Sequence, residues 1–104
     1  MAVTWKVLGQ SVLTGTGTAI YTPAAATYGA VHTAQLWNPT AAPVVCDVFI
    51  GASAVDGTHV DRVTVPATSV ATSFGLINSK LQPGQSVYAL GLGVTLTLTG
   101  AESV

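Results

Sequence analysis

Charged residues are scarce in this 104-residue chain. Lys6, Arg62 and Lys80 stand beside Asp47, Asp56, Asp61 and Glu102, 7% of the sequence against about 25% in an ordinary soluble domain. Three scattered cations cannot neutralise a track of phosphates, which excludes nucleic-acid binding driven by charge. A net charge of −1 supplies almost no self-repulsion, so the surface relies on 15 Thr and 7 Ser hydroxyls for its polarity. Cys46 is the only cysteine, which leaves no internal disulfide and no Cys-based zinc site. Its neighbours Val44, Val45, Val48 and Phe49 predict a buried, inert thiol. No apolar run approaches the roughly 20 residues of a membrane-spanning helix. The first residues carry one Lys, and Gly9, Gln10 and Ser11 interrupt their apolar run, unlike a secretory signal. Folding in a reducing cytoplasm is the expectation.

Long segments free of glycine and proline are missing too. The longest is 30–38, nine residues, shorter than the average helix of about 11–12 residues. In place of helix formers the chain has 15 Val, 3 Ile and 15 Thr, nearly a third of its length. These β-branched side chains are stiff at χ1 and suit a pleated surface. The class is all-β. Eight strands are predicted, over 3–8, 18–22, 30–38, 44–55, 58–65, 70–77, 86–90 and 94–99, with a bend near Gly51. Asp56-Gly57 reads as a two-residue hairpin turn with Gly57 at positive φ. Pro83-Gly84 suits the middle of a type II turn. VTLTLT alternates without a break, placing Val94, Leu96 and Leu98 inward and Thr95, Thr97 and Thr99 outward. Eight short strands spaced by roughly 10–12 residues point to one antiparallel β-sandwich over 1–104, either jelly roll or immunoglobulin-like. Residues 1–17 are a candidate N-terminal docking segment.

Catalytic motifs are absent. Gly51-Ala52-Ser53 does not continue as a nucleophile elbow, and the Gly-Thr-Gly-Thr at 15–18 has no helix after it to bind phosphate. Four acids offer little choice for a glycosidase pair; Asp47 is expected to point outward if Cys46 and Val48 point inward, and to lie in an interface otherwise. Asp56, His59 and Asp61 form the best polar group, since His59 and Asp61 would share a strand face. The preferred reading is a turn Asp followed by a solvent-facing His and Asp, because three residues of mixed type are a weak signal. No catalytic residue, metal ligand or cofactor is assigned. Most aromatic residues should fill the core. Trp5 and Tyr28 are the two expected to be exposed, as protein-interface anchors or sugar platforms, and His32 is expected at the surface or in an interface.

One stretch of the chain, TAIYTPAAATYGAVHTAQLWNP, resembles the opening of small virion structural proteins of tailed bacteriophages. Their pattern is a short strand ending in a Leu/Ile-Tyr-Thr-x-Pro-type motif, an Ala/Gly-rich turn and a long strand closing at Asn. Here these are Ile20-Tyr21-Thr22-Pro23, residues 24–29 and residues 31–38. LQPGQSVYAL resembles the family's Pro-Gly turn, and VTLTLTGAE its closing strand. The resemblance spans 18–102. Gln85 replaces the commoner acid after Pro-Gly, and the Trp5 segment has no counterpart. The resemblance implies a virion protein assembled in the host cytoplasm, most similar to head decoration (cement) proteins. Its partner would be the major capsid protein or another virion protein, and it would form a homodimer or homotrimer, with no nucleic acid or membrane bound. A tail, collar or fibre component and a carbohydrate-binding module are the alternatives.

Overall fold

A computed structural model describes residues 3–104, without the side chain of Asp56. Among the described residues nine strands form: β1 (Val3–Val12), β2 (Thr18–Tyr21), β3 (Tyr28–Asn38), β4 (Val44–Gly51), β5 (His59–Val65), β6 (Ser69–Thr72), β7 (Lys80–Leu81), β8 (Ser86–Leu90) and β9 (Thr95–Ser103). They make two antiparallel sheets, compatible with a β-sandwich. One runs β1-β9-β3-β6, with β7 also on β3; the other runs β2-β8-β4-β5. The pairs nest: β1 with β9, β2 with β8, β3 with β6 and β7, and β4 with β5.

The core lies between the sheets. Val31, Ala34 and Leu36 of β3 and Leu96 and Leu98 of β9 meet Cys46 and Val48 of β4 and Val87 and Ala89 of β8, all essentially sealed from water. The alternation expected for the last strand is observed: Val94, Leu96 and Leu98 are fully buried and the intervening threonines half-buried. Cys46 is buried as expected, and burial, reinforced by Asp47, pushes its thiol pKa up to about 11. The Pro83-Gly84 turn has the expected form. Gly84 sits at φ 88°, and the Gln85 N–H donates to the Gln82 carbonyl at 3.1 Å. Gln85 Oε1 also accepts the Gln82 N–H at 2.9 Å, an acceptor role open equally to an acid.

Three local expectations are corrected. Asp56-Gly57 is not a two-residue hairpin: β4 ends at Gly51, and the connection closes through a 3₁₀ turn, Asp56–Thr58. Thr58 Oγ1, donating to the Ser53 and Val55 carbonyls, organises this longer loop. Gly57 is outside the left-handed region and faces open space, so the argument for glycine there falls. The strand expected over 70–77 stops at Thr72, because Asp61 Oδ2 accepts both Ser73 Oγ and the Gly75 N–H at 3.0 Å and holds the chain in a turn. The chain re-enters the sheet as the two-residue β7, a ninth strand beside the eight expected.

At the open end, a polar triplet ties three strands across both sheets. Tyr21 Oη donates to Glu102 Oε2 at 2.7 Å, and Lys6 Nζ donates to Glu102 Oε1 at 3.1 Å. The Tyr21 hydrogen bond, then Lys6, holds the Glu102 carboxyl below its usual range. Burial and the same carboxylate push the Tyr21 phenol well above its ordinary value, so it stays a donor. A lowered carboxyl pKa supplies stability that is present above the unfolded value, about 4.3, and lost as pH falls through the folded one. The melting temperature should therefore drop on acidification below about pH 4, and Glu102→Gln should flatten that limb. Identical acid limbs in both proteins would exclude this role for Glu102.

Candidate functional site

Residues paired directly across antiparallel strands share a face. The register therefore defines the outer face of the five-stranded sheet. Val3 and Tyr28 both oppose Ser103; Trp5 and Ala30 both oppose Ala101; Val12 and Trp37 both oppose Thr95. Val70 opposes Trp37, and Lys80 opposes Ala30. Lys80 is the one charged residue among the described strand residues on this face. Between the large apolar side chains lie the hydroxyls of Thr95, Thr97 and Thr99. The Gln10 side chain donates to Thr97 Oγ1 at 2.9 Å, and Thr33 hydrogen-bonds Thr99. The surface is apolar and hydroxylic at once.

All three residues expected at an interface lie here. Trp5 is 70% exposed and Tyr28 54%; His32 is exposed. Trp5 and His32 touch edge to face, their centroids 5.9 Å apart with an 81° interplanar angle. Tyr28, the first residue of β3 rather than part of a loop, lines an apolar groove of about 460 Å³ with Val3, Ala30, Leu81 and Ala101. Two further aromatics, expected in the core, are outside it. Trp37 is 43% exposed because it lies on the outer register of β3, and Phe74 is 80% exposed at the turn that Asp61 holds. The odd-numbered spacing of Gln35 and Trp37 against buried Ala34 and Leu36 carried the signal for Trp37. Phe74 left none.

Two β-bulges build this face. β1 carries an extra residue at Leu8, opposite Leu98–Thr99, and β3 one at His32, opposite Thr99–Gly100. Each bulge shifts the outward parity of its strand. On β1 the outward residues are Val3, Trp5 and Val7 before the bulge, then Gln10 and Val12 after it. Gly100 permits the close approach: a Cβ there would collide with the Ala30 carbonyl and come within 3.0 Å of the His32 nitrogen.

The polar group foreseen around His59 is arranged differently. A bulge at Val60 places Phe49 opposite His59 and Val48 opposite Asp61, so His59 and Asp61 point to opposite faces. Asp61 is engaged by Ser73 and Gly75, and the Asp56 side chain lies outside what is described. His59 instead joins Asp47, which points outward as expected. Asp47 Oδ1 lies 2.9 Å from His59 Nε2 and 2.7 Å from Arg62 Nε. This ion-pair cluster sits on the outer face of the other sheet, away from the exposed tryptophans. Among the described residues, no group of three or more His, Cys, Asp or Glu is placed to hold a metal, and no helix is long and apolar enough to cross a membrane. No family model, curated protein or solved structure matches the chain.

Proposed function

We propose that this chain is a bacteriophage virion structural protein that decorates the outside of the head and stabilises the capsid. The outer face of the five-stranded sheet carries the proposal. A broad exposed surface bearing Val3, Trp5, Val7, Tyr28, Trp37 and Val70 is costly to leave in water and marks a contact site. Among the described strand residues Lys80 is its one charged side chain, so most of it can be covered without desolvating ions, each of which costs several kcal/mol when imperfectly paired. The sequence resemblance over 18–102 supports the virion assignment. We read the nested pairing, β1-β9-β3-β6 facing β2-β8-β4-β5, as a jelly roll whose eight principal strands are accompanied by the short β7. That architecture recurs in capsid and lectin domains and agrees with this function only by analogy of fold. No catalytic group is invoked. A glycan-binding role has exposed aromatics in its favour, but the Asp47–His59–Arg62 cluster that could orient a sugar lies on the opposite sheet.

Heads lacking the protein should release DNA at a lower temperature than complete heads. Trp5→Ala should bind bare heads at least about 30-fold more weakly, the effect of truncating an interface anchor worth about 2 kcal/mol. It should fold normally, because Trp5 contributes little to the core. Deleting the N-terminal residues outright would strip β9 of one of its two partners, so a point substitution is the cleaner probe. Equal heat stability of bare and complete heads would overturn the cement role in favour of a tail, collar or fibre component. Electron microscopy of the particle would locate it.

A further inference from the structure

An edge strand exposes unpaired N–H and C=O groups, and natural sheets protect such edges by shortness, bulges, charge or cover. Three of the four edges here are protected. β6 and β7 have four and two residues, β2 has four and an irregular register, and β5 carries Asp61, Arg62 and the bulge at Val60. β1 is different. Beyond its bulge at Leu8 the strand closes onto β2, where a Cβ on Gly9 would lie 2.6 Å from the Ile20 carbonyl oxygen. Before the bulge, residues 3–7 pair only with β9 and are exposed on both faces. Lys6, the one charged residue in this segment, does not guard the edge, because its ammonium turns onto Glu102 of its own β9.

We infer that residues 3–7 of β1 pair antiparallel with the same residues of a second copy of this chain, about a two-fold axis at Trp5. Sequence and charge select this register. Val3-Thr4-Trp5-Lys6-Val7 alternates apolar and polar, so an odd shift would put apolar side chains on the polar face. Centring on Lys6 would set two ammoniums directly opposite each other, a destabilising pair. Centring on Thr4 would pair only three of the five residues. Centring on Trp5 pairs all five, with Val3 against Val7, Trp5 against Trp5 and Thr4 against Lys6. The two outer faces then join into one continuous surface. This inference rests on the assembly part of the proposed function and is independent of which particle the protein joins.

Sedimentation equilibrium of the full chain at micromolar concentration should give twice the 10.5 kDa chain mass. Opposed residues lie about 4.5–5.5 Å apart, within disulfide reach, so Trp5→Cys should cross-link to itself on mild oxidation. Val3→Cys alone lies about 13 Å along the strand from its own copy and should not. A mixture of Val3→Cys and Val7→Cys chains should cross-link. Native Cys46 is buried and should not compete. Val3→Lys with Val7→Lys should weaken the dimer at least about tenfold, and Val3→Lys with Val7→Glu should restore it. A monomer, or an oligomer in which Trp5→Cys stays uncross-linked, overturns the inference. Head binding measured on the same proteins separates the two failures: a monomer that still binds heads leaves decoration standing, and a dimer that ignores heads leaves the pairing standing.

Discussion

Replacing Asn38 with Ala is expected to lower the stability of this protein by about 3 kcal/mol. Asn38 is the last residue of β3, and its side chain is completely buried. Its amide nitrogen donates to the carbonyls of Ala42 at 2.8 Å, Val65 at 3.1 Å and Pro66 at 3.2 Å. Its Oδ1 accepts the Thr40 N–H at 2.9 Å and the Thr40 hydroxyl at 2.6 Å. One side chain thus fastens the β3–β4 loop to the end of β5, where no ladder can. Truncation removes every one of these bonds while Val65, itself buried, keeps its carbonyl away from water. Each group left unpaired costs about 1–3 kcal/mol, and the more exposed ones recover part of that from solvent. For a domain of this size the loss corresponds to a fall in melting temperature of about 12–20 °C. Asn38→Asp should be at least as damaging, since it replaces the donor by a second acceptor facing three carbonyls. A melting point within about 3 °C of the parent for Asn38→Ala, under 1 kcal/mol, would show that the loop holds without it.

Gly100→Ala should cost about 3 kcal/mol or more, through a different mechanism. Gly100 needs no unusual φ. The obstacle is its neighbour: the new methyl would occupy the position of the Ala30 carbonyl, with the His32 nitrogen also at 3.0 Å. Both are backbone, so no rotamer change relieves the contact. β3 and β9 would have to separate where their register already shifts, loosening the centre of the five-stranded sheet. Gly57→Ala is the control, because a Cβ at Gly57 meets nothing within 4 Å. Gly→Ala at a compatible site is neutral or stabilising by about 0.4–1 kcal/mol through the unfolded chain. Equal melting temperatures for the two variants would show that the β3–β9 contact yields freely. Gly100→Ala should also disturb Trp5, whose ring rests against His32 at the neighbouring bulge.

The candidate face was partly legible in the sequence. Trp5, Tyr28 and His32 are exposed as expected, since each sits beside polar or small residues rather than in an apolar run. What linear reading could not supply was their convergence on one side. That depends on the extra residues at Leu8 and His32, which reverse the parity of β1 and β3. A bulge is a relation between two strands, so counting along one strand cannot find it. The His59–Asp61 expectation failed for this reason at Val60.

The sequence by itself determined the all-β class, through frequent glycine and proline and a third of the chain in β-branched residues. It determined the inward face of β9 through strict alternation, and the Pro83-Gly84 turn through two residues with narrow φ preferences. These are local properties, settled within a few residues of chain. Tertiary structure alone decided the rest: that the strands nest with β1 on β9, that Phe74 is held outward by an acid thirteen residues away, and that Asp47 takes His59 and Arg62 as partners. Each of these depends on which distant segment lies alongside, and partner choice is fixed by burying all the apolar faces at once, a condition no short window of sequence contains.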